Sequence, residues 1–304
     1  MLTIAVFPNT NKPEAPRVLQ RILDFYADKA VRIIMPVEEA RIFQHAGYGV
    51  TDIENVKTDI ALSIGGDGTL LGVCRRYSHH AVPVCGVNIG TLGFMADIEV
   101  GELEQKLQQL LDGDYYVEHR LLLSGFVRHQ GREDQRFLGH AINDVVVTKG
   151  GVARMLRLGL DINGTHLIDF KADGLIVSSP TGSTAYSLSA GGPIMNPNIR
   201  ALLLTPICAH TLTFRPLLID EEDVVHIRIS AMHQDIIVTF DGQESFRLLP
   251  GDEVIVRKSN VQAGIVKFED RDYYSVLRDK LWRTDTRPAA GPSAPDPVEE
   301  RGKL

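Results

Sequence analysis

Five consecutive residues, Gly65-Gly66-Asp67-Gly68-Thr69, pose the first chemical question. They follow the apolar run DIALSI (59–64) and precede a helical pattern, so they occupy a strand-to-helix turn. In open α/β sheets, ligands bind beyond the carboxyl ends of the strands. Glycine lets the backbone approach a ligand closely, and the free N–H groups of a helix start favour phosphate. Gly65, Gly66, Gly68 and Thr69 are therefore a candidate phosphate loop, with the helix expected over 70–79. Asp67 adds a carboxylate, which beside a phosphate needs a metal or a proton-transfer role to offset repulsion. The string is neither GxxxxGK[ST] nor GxGxxG. A plain turn capped by Asp67 would read the same way.

A second loop, SSPTGSTAYSLSAGGP (178–193), follows the strand pattern DGLIVSS. Ser183 or Thr184 is placed to cap a helix through Ser189, stopped by Gly191-Gly192-Pro193. Small residues leave room for a flat ligand, Tyr186 offers a ring face, and the hydroxyls offer donors to ribose or phosphate oxygen. Asn143-Asp144 interrupts an apolar stretch just before VVVT, as a bulge, a turn or a site. Lys171 and Asp173 are two apart and project to one strand face, as ligand contacts or a surface ion pair.

The elements that must position these groups change character along the chain. Strand signals at 2–7, 31–35, 59–64 and 82–88 alternate with helical patterns at 16–29, 38–46, 70–79 and 99–111. That order predicts an open parallel-sheet α/β domain over 1–113. From Tyr115 the period is mostly two, with Asn163-Gly164 and Asp241-Gly242 as hairpin turns. A mainly-β layered domain is expected over 114–271. Residues 273–282 read as helical. The tail, 284–304, is rich in Pro, Ala and charge and is expected to be disordered.

Composition narrows the class. The chain has 304 residues, 32 Lys and Arg against 39 Asp and Glu, and a formal charge of −7. An acidic balance argues against a nucleic-acid partner. No apolar run is long enough for a spanning helix, and the N-terminus lacks the pattern of a signal peptide. Three cysteines without CxxC spacing suggest buried thiols in the cytoplasm, not a zinc site. No metal-ligating residues are assigned.

Taken together, GGDGT (65–69), NIGTLGFM (88–95), AINDVVV (141–147) and DGLIVSSPTGSTAYSLSAGGPI (173–194) resemble the NAD kinase family in order and spacing. GGDG alone is shared with diacylglycerol-type lipid kinases; the long TGSTAYSLSAGGP block is far more specific. The resemblance spans about residues 2–282. It implies phosphorylation of the adenosine 2′-hydroxyl of NAD+ to give NADP+. The donor would be ATP or another phosphoryl compound, with Mg2+ or another divalent cation bound mainly through it. It implies Asp67 as general base, with Gly68 beside it. It implies NAD contacts from Asn143, Asp144, Thr181, Thr184, Ala185, Tyr186, Ser187, Leu188, Ser189, Lys171, Asp173, Gln243 and Arg154. The segment 272–283 would return to the first domain. A homodimer or homotetramer is implied, with some NAD contacts crossing subunits. Several relatives carry a basic residue five after the aspartate, where this chain has Gly72. Arg75 and Arg76 follow, either steadying donor phosphates or forming a solvated helix face.

Overall fold

The computed structural model describes residues 1–90, 93–151, 155–210, 214–230 and 235–282. Arg154 and the tail 284–304 lie outside them. The first part runs β1 (Leu2–Pro8), α1 (Ala15–Tyr26), β2 (Val31–Pro36), α2 (Val37–Ile42), β3 (Gly49–Val50), β4 (Ile60–Gly65), α3 (Asp67–Tyr77), β5 (Val84–Asn88), β6 (Ile98–Glu99) and α4 (Leu103–Asp112). Pairings among these strands are parallel. Alternate residues of β1 serve opposite faces, as a period of two requires. Ile4 and Val6 join the core under α1 and α4, where Val18, Leu19, Ile22, Leu103 and Leu107 are buried. Ala5 and Phe7 join the core under α3, with Leu70, Leu71, Cys74 and Tyr77.

The second part runs β7 (Tyr116–Arg128), β8 (Arg136–Ala141), β9 (Asp144–Lys149), β10 (Leu156–Ile162), β11 (Thr165–Ala172), β12 (Gly174–Ser178), α5 (Tyr186–Ser189), β13 (Ala201–Ile207), β14 (Leu217–Asp220), β15 (Val225–Ile229), β16 (Ile236–Phe240), β17 (Glu244–Leu248), β18 (Glu253–Lys267) and α6 (Tyr273–Leu281). An antiparallel sheet is ordered β14-β13-β12-β9-β16-β17. Its inner face packs Val145, Val147, Leu175, Val177, Val238 and Phe240 against Leu158, Leu160, Val225, Ile227, Val254 and Val256 of a second sheet. This is the layered β arrangement expected. Both hairpin turns form with two consecutive left-handed residues, Asn163-Gly164 (φ 51° and 78°) and Asp241-Gly242 (φ 51° and 64°).

The second sheet does not stop at the α/β part. β18 pairs antiparallel with β15 and β7, then parallel with β5 through Ile265 and Val84. One sheet thus continues in the order β11-β10-β15-β18-β5-β4-β1-β2-β3. The return to the first core begins earlier than 272: Ala263 and Ile265 lie under α3, and Val266 and Phe268 lie under α1 and α4. The continuous sheet holds the strand-end loops of both parts at fixed relative positions.

Candidate active site

The helix after β4 starts at Asp67, three residues earlier than its pattern suggests, with Gly66 as the extended residue before it. Asp67 therefore sits in the first helical turn. Its carboxylate faces the segment after β5 and accepts three backbone amides: Phe94 N at 2.7 Å, Met95 N at 3.2 Å and Ala96 N at 3.3 Å. The approach is so close that a Cβ on Gly93 would lie 2.0 Å from Asp67 Oδ1, which only glycine permits. Thr69 turns the other way and accepts from Asn9 Nδ2 at 2.9 Å.

On the outer side of this turn lies a cavity of about 910 Å³. Gly66, Gly68, Thr69 and Gly72 line its floor, and Lys12, Arg75, Arg76, Phe137, His140 and Gln243 are among its walls. The two arginines are already engaged. Arg75 donates to Asp241 at 2.7 Å and to Gln243 Oε1 at 2.7 Å. Arg76 donates to Glu54 at 2.6 Å and stacks over Phe7. Lys12 is exposed and has no ion-pair partner among the described residues.

Asp241 is the strut that joins the two parts, and its sequence signal, a hairpin turn, gave no hint of that. Its side chain is fully buried. Besides Arg75 it accepts the amides of Ile142 (3.1 Å), Asn143 (2.7 Å) and Asp144 (3.2 Å). Two residues on, Gln243 Nε2 donates to Gly68 O at 2.8 Å. Asn143 and Asp144 are thus fixed relative to the first turn of α3. Asp144 is 4% exposed. Burial, and then the neighbouring Asp241 charge, push its carboxyl up to about 7.

The hydroxyl-rich loop packs against the same pair. Gly182 lies against Asn143, whose carbonyl a Cβ would meet at 2.0 Å. Ser179 N donates to Asn143 O at 2.9 Å, and Ser179 Oγ donates to Ile142 O. The expected capped helix is not realised. Residues Thr181–Thr184 form a 3-10 turn, and α5 is only four residues long with no side-chain cap. Ser183 is buried instead and clamps the loop, donating to Pro180 O at 2.7 Å and accepting Met195 N at 2.9 Å. Ser187 is likewise buried against Thr205, with its hydroxyl 2.8 Å from Thr205 Oγ1. Tyr186 and Ser189 are exposed, and Thr181, Thr184, Ala185 and Leu188 are partly so. Phe94 and Met95, which cover Asp67, share a small cleft with Thr181 and Thr184.

Lys171 and Asp173 fall elsewhere. Ser178 pairs with Asp144, whereas Gly174 pairs with Thr148. Asp173 is therefore at the opposite end of β12, about 15 Å from the Asn143 loop at 3.3 Å per residue. It pairs with Lys149 at 2.8 Å, not with Lys171. Among the described residues no cluster of three or more His, Cys, Asp or Glu is arranged to hold a metal. No helix among them is long and apolar enough to cross a membrane.

Comparison with known proteins agrees with this architecture. Residues 4–115 match the model of the ATP-NAD kinase N-terminal domain, and 142–268 match that of the ATP-NAD kinase C-terminal domain. The NAD kinase of Heliobacterium modesticaldum is 40% identical over 281 residues, covering 92% of this chain and 99% of its own length. That of Moorella thermoacetica is 39% identical, covering 92% and 89%. Yeast NADH kinase in complex with NADH has a similar fold, with a TM-score of 0.85 and 24% identity over 94% of this chain and 89% of its own. An Archaeoglobus fulgidus NAD kinase in complex with ATP gives a TM-score of 0.71 and 24% identity, covering 91% and 99%. With both domain models matched in order across the chain, and the glycine turn tied to the hydroxyl loop through Asp241 and Asn143, the chain belongs to the ATP-NAD kinase family, enzymes that phosphorylate NAD to NADP.

Proposed function

We propose that this enzyme transfers the terminal phosphoryl group of ATP to the adenosine 2′-hydroxyl of NAD+, with Asp67 as general base. The observation that carries this reading is the position of Asp67. One side of its turn, Gly66, Gly68 and Thr69, lines the large cavity. The other side meets Phe94 and Met95, which adjoin Thr181 and Thr184. A donor in the cavity and an adenosine on the hydroxyl loop would meet at that carboxylate.

Phosphoryl transfer asks the protein mainly for positioning and charge stabilisation. The N–H groups at the start of α3 would receive the donor phosphates. Tyr186 presents a ring for the adenine, and Asn143, Asp144, Thr184 and Ser189 present polar groups for the nucleoside. Asp67 would accept the hydroxyl proton as the bond to phosphorus forms. The cavity lining offers Glu39 and Glu244 but no carboxylate cage. That fits Mg2+, which keeps its waters and is bound largely by substrate phosphates. When bound, the ion would neutralise charge on the transferred group.

Lys171 and Asp173 would touch NAD only across a subunit boundary, because they lie at the far end of β12 from the hydroxyl loop. A homodimer or larger assembly is part of this reading, and the edge strand β11, which carries Lys171, exposes Leu167 nearer its start. A reducing, cytoplasmic setting is part of this reading; Cys74 and Cys85 are buried as expected, whereas Cys208 is exposed.

The test is NADP formation from NAD+, ATP and Mg2+ in a coupled assay, with Asp67→Asn beside the wild type. The variant is expected to lose at least about a hundredfold in kcat, the lower range for general-base catalysis, with a far smaller effect on the dissociation constant for NAD. Equal turnover would remove Asp67 from the chemistry.

A further inference from the structure

The cavity outside the glycine turn is longer and more varied than a phosphate chain needs. Its floor follows α3 from Gly66 to Arg76, about 15 Å at 1.5 Å per residue. At the start of the helix the lining is backbone and cation. Gly66, Gly68 and Thr69 lie there, and Lys12 Nζ is 3.9 Å from where a Cβ on Gly90 would stand. Three cations other than histidine line the cavity. Arg75 is held by Asp241 and Gln243, and Arg76 by Glu54. Lys12 is the one without an acidic partner among the described residues.

The other end is aromatic. Phe137 is 47% exposed, and its ring lies 4.9 Å from that of His140. The His140 ring in turn lies 5.1 Å from that of His79, tilted by 53°, just beyond the C-terminus of α3. Gly139, between Phe137 and His140, carries no side chain, so it covers neither of those two rings, which are tilted by 59° to each other. Burial and the neighbouring His79 lower the pKa of His140, which favours its neutral ring. A polyphosphate chain has no use for an exposed ring face such as that of Phe137, whereas a nucleobase does.

We infer that the cavity takes a nucleoside triphosphate lengthwise, with Lys12 on the phosphates at the start of α3 and the base on the Phe137–His140 wall, and that this wall makes the enzyme prefer ATP over inorganic polyphosphate. This rests on the kinase reading above and assigns its donor orientation. Lys12 serves any phosphate donor; Phe137 serves only one with a base.

The experiment measures kcat/KM for ATP and for inorganic tripolyphosphate, each with Mg2+ and saturating NAD+, in the wild type, Phe137→Ala, Phe137→Tyr and Lys12→Met. The wild type is expected to favour ATP. F137A should reduce the ATP-to-tripolyphosphate ratio about tenfold, or ~1.4 kcal/mol, through KM for ATP. F137Y should restore it. K12M should raise KM for both donors together. A ratio unchanged in F137A, or a wild type that prefers tripolyphosphate, overturns the inference. Failure of the wild type to form NADP from either donor would sink the kinase reading instead.

Discussion

Asp144 offers a quantitative test of how the two parts of the molecule are joined. Its carboxyl is 4% exposed and lies beside Asp241, whose charge Arg75 and three amides already hold. Burial first, and the Asp241 charge second, raise its pKa from 3.8 to about 7. The folded state therefore binds a proton that the unfolded chain has released over that interval. Stability from this group is fully present near pH 4 and declines as pH rises towards 7, then levels off. A shift of 7 − 3.8 = 3.2 corresponds to about 4 kcal/mol as an upper bound at 1.36 kcal/mol per unit. Relaxation around the ionised group cuts that to roughly half, about 2 kcal/mol. Asp144→Asn is nearly isosteric and cannot ionise. It should match the wild type near pH 4, pull ahead as pH rises towards 7, and lead by about 2 kcal/mol at pH 8. For a chain of this length the unfolding entropy is about 0.6 kcal/mol per degree, so the melting temperature should differ by about 3 °C at pH 8. Differential scanning fluorimetry from pH 4 to 8.5 reads this directly. A gap that does not change with pH, or a wild type that gains on the variant as pH rises, would refute the account of Asp144.

Two further perturbations probe the assembly of the site. Arg75→Met leaves the buried Asp241 carboxylate without its cation, a kind of change that typically costs about 3–5 kcal/mol, and should lower the melting temperature by about 5–8 °C. Because Asp241 also holds Asn143 and Asp144, KM for NAD should rise in the same variant, and a variant as stable as the wild type would show that the strut is not Arg75–Asp241. If NAD contacts cross subunits, mixing Asp173→Ala with Tyr186→Ala after joint refolding should restore activity above that of either alone, since one site in the hybrid regains both groups. No gain on mixing, with hybrid formation verified by mass spectrometry, would confine the site to one subunit.

The alternation of strand and helix, the layered β region and both hairpin turns were legible because each rests on local signals: hydrophobic period, Asn-Gly and Asp-Gly. The glycine turn and hydroxyl loop were legible as residue types. Their internal geometry was not. Ser183 looked like a helix cap, but its hydroxyl is taken by Pro180 O and by the Met195 amide, twelve residues further along the chain. Arg75 and Arg76 looked available for phosphate, yet their partners, Asp241 and Glu54, are 166 and 22 residues away. The continuity of the sheet through β18 is also a long-range fact, visible only when Ile265 is seen beside Val84. Lys12 carried no motif of its own; it emerges because its two cationic rivals are spent.

Asp67 illustrates why residue type alone underdetermines a catalytic site. The same carboxylate that is proposed to take a proton also holds the amides of Phe94, Met95 and Ala96. These uses do not exclude one another, since a carboxylate offers about four lone-pair directions and three are occupied. The arrangement leaves one for a sugar hydroxyl and fixes the orientation of the rest. A base held by three amides cannot rotate away from the nucleophile, so the segment 93–96 acts as the support that keeps it aimed. It also places Phe94 and Met95 against Thr181 and Thr184. Seating of adenosine on that loop and the aim of the base are thereby coupled through a few backbone hydrogen bonds. In Asp67→Asn one amide oxygen remains to accept, while the Nδ2 group faces a donor. The loss should therefore include some displacement of the 93–96 segment as well as loss of the base. Asp67→Glu keeps a carboxylate but moves it by one methylene against a Gly93 that leaves no spare room, so it too should lose turnover in the NADP assay, and full activity would refute this close fit.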